Sequence, residues 1–426
     1  MGRVFMICPE PVRRLTAGVG TRFVALAEVL RDAGHAVTLA IPNQASEAEA
    51  VGGGISVVTA SPDSLGAQAE GHDWVLLHGH LGNHYLSQRD DLPVVIDLYD
   101  PFLVENLHYH RDLGFEPYRN DHATWKLQLS SGDFFLCSSE EQRLYYLGWL
   151  GALGRVNPLT LEDDPTLRGL ISELPFGTPE TEPPPPPSRD EVLEGTEAGQ
   201  PVIYFGGIYD WYDPVTMLDA MPALLEADAR TVVVFVDHPH PGETPLSGAA
   251  ETRRIAQERG WLGGAVRFES WRPFDRRFDL PLACDLAVVT HRPGLETDLS
   301  LRTRIVDLLW LGLPVVATEG GTMSRVIDEI GAGASIGSGD AQSLAVAVRR
   351  FLDDPVARGD ARRAGRAWAT RRRWRDVAAP LLEFASRPGI DPHKGRFHEL
   401  APAASTAEEP VRNRLQRVFK RMRGRR

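Results

Sequence analysis

Short apolar runs recur along the chain, each a few residues long and each followed by glycine, proline or polar residues. Val4–Cys8, Ala36–Ile41, Trp74–Leu77, Val94–Ile96 and Phe134–Cys137 read as buried strands, because they are apolar on both faces instead of alternating. Between the first two, Phe23, Leu26, Ala27 and Leu30 recur at helical spacing and predict a helix from about Thr21 to Ala33, closed by Gly34. The same rhythm restarts at Val202–Phe205 and continues through Thr231–Val236, Val266–Phe268, Leu286–Val289 and Val315–Ala317, with a helix over Arg304–Leu311. Strands alternating with helices predict parallel, doubly wound sheets. Between the halves, Pro179–Gln200 carries five consecutive prolines (Pro183–Pro187) and then an acidic stretch, the composition of a linker. The expectation is an α/β protein of two Rossmann-like doubly wound domains facing a central cleft. Residues 1–178 form the first domain, 179–200 the linker, 201–386 the second domain and 387–426 a flexible basic tail. Ligands should bind in the cleft, at the carboxyl ends of the strands.

A length of 426 residues suits two domains. The net charge of −12 conceals an asymmetry. Residues 1–348 hold 25 basic and 49 acidic groups, a balance of −24, while residues 349–426 hold 21 and 9, a balance of +12. The body should repel nucleic acid, which is therefore not an expected partner, and the tail should be drawn to anions. Leu415, Val418, Phe419 and Met422 fall on one helical side of that tail, an arrangement suited to peripheral contact with an anionic membrane. Of the basic residues 43 are arginine, and no lysine occurs between 127 and 393. An anion in the second domain must therefore be held by Arg, His or backbone N–H groups. Cys8, Cys137 and Cys284 have neither disulfide nor zinc spacing, the N-terminus lacks a signal-peptide layout, and no apolar stretch reaches about 18 residues. A cytoplasmic protein is expected, peripheral at most on the inner membrane face.

Candidate chemistry clusters after the strands. Gly18-Val-Gly20 opens the first helix, either as an anion-accepting loop or as a tight turn; with Phe23 in the sixth position it is not the dinucleotide fingerprint. His78, His80 and His84 follow one strand without a carboxylate at ligand spacing, so substrate hydroxyls or phosphates are expected there and no metal. Asp97 and Asp100 follow the next, as a general base, as hydroxyl ligands or as solvated loop carboxylates. Gly206 and Gly207 permit close backbone approach, and Tyr209 and Trp211 offer flat surfaces for a base or sugar ring unless they pack into the core. His238 lies at the end of another strand. The densest stretch runs from His291 to Gly321. In it Arg302 and Arg304 at a helix start would grip a diphosphate and Asp307 would accept ribose hydroxyls, the alternative being a surface helix with ion pairs one turn apart.

At this stretch the chain resembles the retaining GT-B glycosyltransferases of family 4, over roughly residues 3–385. The resemblance rests on the Gly18/Gly20 loop, Ser138-Ser-Glu140-Glu-Gln142, Leu174-Pro-Phe-Gly-Thr-Pro179 and, most specifically, Leu301-Arg-Thr-Arg-Ile-Val-Asp307-Leu-Leu-Trp310-Leu-Gly-Leu-Pro314. It implies a nucleoside-diphosphate sugar bound by the second domain, a hydroxyl acceptor on the first, no bound metal and no cofactor. The departing diphosphate would take the acceptor's proton on the face it leaves. Family members place Glu where this chain has Asp307, and a second Glu eight residues earlier where it has Leu299; Glu296 or Asp298 is the candidate substitute. Their diphosphate-binding Arg and Lys after the first strand of the second domain are absent, and Arg302 and Arg304 would supply that charge.

The resulting candidates are His80, Asp100, Glu296 and Arg302 for catalysis. For the donor they are Gly18, Gly20, Gly206, Gly207, Tyr209, Trp211, His238, His291, Arg302, Arg304 and Asp307. The acceptor is open between a cell-surface glycan, a lipid-linked saccharide and a secondary metabolite, and the oligomeric state is not indicated. Rival readings are a nucleotide-sugar epimerase or pseudo-glycosyltransferase on the same fold, and a silent binding subunit of a glycosyltransferase pair.

Overall fold

The computed structural model describes residues 2–48, 51–238 and 247–397. Its first sheet contains β1 (Arg3–Ile7), β2 (Ala36–Ile41), β3 (Ile55–Thr59), β4 (Trp74–Leu77), β5 (Val94–Asp97), β6 (Phe134–Cys137) and β7 (Ile171–Glu173), in the order β3-β2-β1-β4-β5-β6-β7 with every pairing parallel. The second contains β8 (Val202–Gly207), β9 (Val232–Val236), β10 (Val266–Glu269), β11 (Leu286–Val289), β12 (Val315–Thr318) and β13 (Gly333–Ile336), in the order β10-β9-β8-β11-β12-β13, again parallel. Strand order reverses beside β1 and beside β8, and a crevice opens at such a switch point. The predicted two-domain α/β architecture is what the chain adopts.

The helices that matter to the site in the first domain are α1 (Gly18–Asp32), α2 (Gly79–Leu86), α3 (Glu116–Ser131) and α4 (Glu140–Ala152). In the second they are α5 (Pro214–Ala227), α6 (Leu295–Leu299), α7 (Thr303–Leu311), α8 (Gly321–Ile330) and α9 (Pro355–Ala369). The apolar stripe of α1, Phe23, Leu26, Ala27 and Leu30, is fully buried, which explains why its period was legible. Arg22 on the same helix is buried too. Its guanidinium is bidentate to Asp97 at 2.7 and 2.9 Å and also donates to the Leu174 carbonyl at 2.9 Å. Asp97 thus locks α1 to the end of β5 and does not project into the cleft as expected.

The chain departs from the predicted boundaries at its crossings. Thr178 donates its N–H to the Arg372 carbonyl at 2.8 Å and accepts from Trp374 N–H at 3.1 Å, a parallel bridge to Arg373, so two chain crossings, not one linker, join the domains. The segment 179–200 is not a free span: Arg189 pairs with Asp285 at 3.0 Å and Val192 and Leu193 are buried. After α9 the chain returns to the first sheet as α10 (Trp374–Val377) and α11 (Ala379–Ser386). Phe384 stacks on Phe134 at 5.3 Å and meets Trp74 edge-on at 5.6 Å. Residues 374–386 therefore cover the first domain, not the second. Residues 387–397, expected to be flexible, are tied down as well: Asp391 pairs with Arg155 at 2.7 Å and Lys394 with Asp133 at 2.7 Å. These partners lie more than 200 positions away, beyond the reach of any local pattern. The basic end of the tail, with Leu415, Val418, Phe419 and Met422, lies outside the described residues. No described helix is long and apolar enough to cross a membrane.

Candidate functional site

Loops from both sheets enclose a cavity of about 540 Å³. The first domain contributes Glu10 and Gly18 after β1, and Tyr99, Asp100, Glu105 and Tyr109 after β5. The second contributes Tyr209, Trp211 and Tyr212 after β8, and Arg302 before α7. A second cavity of about 520 Å³ shares Leu301 with it and is bounded by α4 and α8. There Glu141 accepts from Thr322 Oγ1 at 2.8 Å and pairs with Arg325, a latch between the domains. Gln142 adds a buried tie, its Nε2 donating to the carbonyls of Tyr99 at 3.0 Å and Leu299 at 3.1 Å. Leu299, the residue standing where the family pattern has Glu, packs with the first-domain core.

On the first-domain wall, Gly20 N–H donates to Glu10 Oε2 at 2.7 Å. A Cβ at Gly20 would lie 2.6 Å from Thr16 Cγ2, which accounts for glycine there. An internal carboxylate thus occupies the start of α1, so Gly18 and Gly20 suit a hydroxyl-bearing ligand better than a phosphate. His80 is not in the cavity. On α2 its Nε2 meets Asp121 Oδ1 at 2.8 Å and its Nδ1 meets Thr124 Oγ1 at 2.9 Å, which joins α2 to α3 and leaves neither nitrogen free for chemistry. His78 is the buried one, with Nδ1 on the Asp97 carbonyl at 2.7 Å. Asp100 does face the cavity, and one of its oxygens is buried without a partner. Burial raises its affinity for protons, countered by His78, and it is hydrogen-bonded to Glu105, whose carboxyl burial raises well above the usual range.

On the second-domain wall, β8 carries a register shift at Gly206, whose φ is +86°. Arg304 holds this turn from α7, donating to the Phe205 carbonyl at 2.8 Å and the Gly207 carbonyl at 2.9 Å, with its guanidinium 4.6 Å above the Tyr212 ring. Arg302 precedes α7 with φ +55°, a strained left-handed conformation for a side-chain-bearing residue. Its terminal nitrogens donate to the Thr318 and Glu319 carbonyls, and burial lowers its pKa to about 10. The two arginines were expected to reach out to a diphosphate. Both instead brace strand ends, because buried carbonyls after β8 and β12 need donors and each guanidinium offers five. They still place positive charge beside the cleft.

Tyr209 and Trp211 are stacked at 4.9 Å and 10°, and Tyr109 approaches Trp211 edge-on at 6.3 Å, so the aromatics wall the cavity from both domains. His238 is edge-on to Tyr209 at 5.3 Å. His291 is fully buried against Tyr212, its Nδ1 3.3 Å from Glu296 Oε2, and burial lowers its pKa to about 4. It is neutral at physiological pH. Glu296 is buried on α6, in the electrostatic neighbourhood of Asp100 and Glu105. Asp307 lies in the field of Arg277 instead of lining the cavity, and burial raises its pKa to about 6. Among the described residues no group of three His, Cys, Asp or Glu side chains is placed to hold a metal ion.

Residues 199–354 match the family model described as Glycosyl transferases group 1. The chain has the GT-B fold of glycosyltransferases, and its second domain matches their group 1 model. No curated protein matches its sequence. Among solved structures, the chain is similar to sucrose-phosphate synthase from Thermosynechococcus elongatus, at TM-score 0.64 and 15% identity over 91% of this chain and 98% of that one. It is also similar to Anabaena HepE solved with UDP-glucose (TM-score 0.64, 16% identity, 91% and 99% covered). WaaG, a glycosyltransferase of lipopolysaccharide biosynthesis, matches at TM-score 0.60 and 15% identity, with 91% and 100% covered.

The sequence did not single out Glu105, Tyr109, Tyr212 or Glu10 for this site. Glu105 lies five residues beyond Asp100, one helical turn past Pro101, and that spacing was the available signal.

Proposed function

We propose that this chain is a glycosyltransferase that moves a sugar from a nucleoside diphosphate held by the second domain to a hydroxyl presented by the first, with retention of configuration. The observation that carries the reading is the shared cavity: strand-end loops of both sheets close on it, and the family match falls on the domain assigned to the donor. HepE, similar in fold, was solved with UDP-glucose.

On this reading the diphosphate lies against the start of α8 at Gly320-Gly321, a helix N-terminus without a side-chain cap. Arg302 and Arg304 act as fixed charges behind the carbonyls that they hold. Preorganised charge near the leaving phosphate lowers the barrier without reorganisation. Tyr209 and Trp211 give a flat face to the base or sugar, while Asp307, which does not line the cavity, has no part in this reading. Glu296 takes the place of the carboxylate absent at Leu299, and Asp100 orients the acceptor hydroxyl, whose proton passes to the departing diphosphate. No cofactor enters this scheme.

A thermal-shift screen against UDP-, GDP-, dTDP- and CMP-sugars tests the donor assignment. Ligand at about 100 times its Kd stabilises by roughly 2.7 kcal/mol, and a flat response to all four removes the reading. The anomeric configuration of the product, read by NMR, tests retention. A silent binding subunit is favoured by one observation, that the terminal nitrogens of both arginines are already taken by carbonyls. Nucleotide binding without transfer, alone or with any acceptor, would select it. A cytoplasmic location, with the basic tail on an anionic membrane, is tested by vesicle sedimentation before and after deleting residues 410–426.

A further inference from the structure

The cavity is chemically lopsided. Of the charged residues lining it, Glu10, Asp100 and Glu105 are acidic and only Arg302 is basic, and the terminal nitrogens of Arg302 are turned to backbone carbonyls. The groups facing Asp100 are His78, Glu105, Asp97 and Glu296; those facing Glu105 are Asp100 and Glu296. Asp97 is already neutralised by Arg22. Among these neighbours His78 alone can carry positive charge, and its Nδ1 is already engaged with the Asp97 carbonyl. Phe102, Tyr109 and Tyr99 line the cavity beside the Asp100–Glu105 pair on the first-domain wall. Tyr109 is 6% exposed and its hydroxyl has no hydrogen-bond partner, a second polar group turned to the same space.

We infer that the acceptor carries a protonated amine beside its reactive hydroxyl, as an amino sugar or aminocyclitol does, and that the Asp100–Glu105 pair and the aromatic rings beside it bind that ammonium. The inference rests on the glycosyl-transfer reading and narrows its acceptor. Aromatic faces attract a cation through their quadrupole, and a carboxylate gives an ammonium a charge-assisted hydrogen bond; a neutral polyol gains the first not at all and the second only weakly. A metal ion fits less well, since the described carboxylates are not grouped as ligands. Two adjacent carboxyls share a proton until a cation arrives, and the ammonium stabilises the doubly ionised pair. Binding then releases a proton to solvent. The same acidity keeps the donor phosphates away from this wall and on the second domain.

The test uses the full chain and three probes: glucosamine, N-acetylglucosamine and glucose, titrated by calorimetry in two buffers of different ionisation enthalpy. Glucosamine should bind at least tenfold tighter than either neutral sugar and release protons. The preference should collapse in Asp100→Asn and in Glu105→Gln, with melting temperatures kept as a folding control. Equal binding of the three sugars, or a preference that survives both substitutions, overturns the inference. UDP and UDP-glucose titrated in parallel separate the two ideas. If neither nucleotide binds while glucosamine is still preferred, the donor reading fails and the cation site stands.

Discussion

Half-buried Asp307 and fully buried His291 should pull the stability of the second domain in opposite directions between pH 4 and 6.5. Burial raises Asp307 from 3.8 to about 6, so the folded state holds a proton that the unfolded chain has released. Its penalty is absent below about 3.8 and complete above about 6, so stability falls as pH rises through that window. Burial lowers His291 from 6.5 to about 4, and here the unfolded chain is the one that holds the extra proton. Its contribution is complete above about 6.5 and lost on descending to about 4, so stability rises with pH. At ~1.4 kcal/mol per tenfold change in proton affinity, each effect is about 3 kcal/mol, and in the parent protein they nearly cancel. Asp307→Asn removes one arm. Relative to the parent it should gain about 3 kcal/mol between pH 4 and pH 7.5, less whatever the buried amide loses in hydrogen bonding. Urea unfolding followed by tryptophan fluorescence at several pH values gives the difference directly. A stability difference that does not change with pH would refute the argument, because it would place Asp307 in water.

Asp97→Asn leaves the Arg22 guanidinium buried without its counter-charge and should destabilise the first domain by about 3–5 kcal/mol, visible as an early calorimetric transition. Replacing both partners by apolar residues should recover most of that loss. Gly206→Ala imposes a side chain at φ +86°, 3.0 Å from the Tyr204 hydroxyl, and should destabilise by roughly 1–2 kcal/mol, with UDP affinity falling and the first domain unaffected. Glu141→Gln loosens the latch to Thr322 and Arg325. Because Arg325 is half exposed, melting should shift by less than ~1 kcal/mol, while small-angle scattering should report a more open pair of domains.

Ten of the thirteen described strands were legible, nine because nearly all their residues are apolar and buried, and β10 at a sheet edge through Val266 and Phe268 alone. The missing three share a cause. β3 and β13 sit at sheet edges with mixed or small residues (Ile-Ser-Val-Val-Thr and Gly-Ala-Ser-Ile), and β7 is only three residues long. The candidate site was legible as a set of loops but not as a set of roles. Motif and spacing placed Asp100, Tyr209, Trp211 and Arg302 at the cavity. They could not reveal that Arg302 and Arg304 serve carbonyls, that His80 is held by Asp121, or that Glu105 joins Asp100. The arginines and His80 meet partners 16 to 99 residues away, which sequence distance conceals. Glu105 is only five residues from Asp100, but that spacing alone does not show that the two carboxyls meet.

The return of the chain to the first sheet has a consequence for the order in which the protein is made. Phe384, Asp391 and Lys394 complete a domain whose other strands leave the ribosome some 200 residues sooner. During synthesis the flank formed by Trp74, Phe134 and Asp133 must wait, uncovered, while the whole second domain emerges and folds. The first domain is therefore begun first and finished last, and that interval of exposed apolar surface is when the nascent chain is most open to misassociation. A protein truncated before Trp374 should keep its second domain and lose solubility through its first.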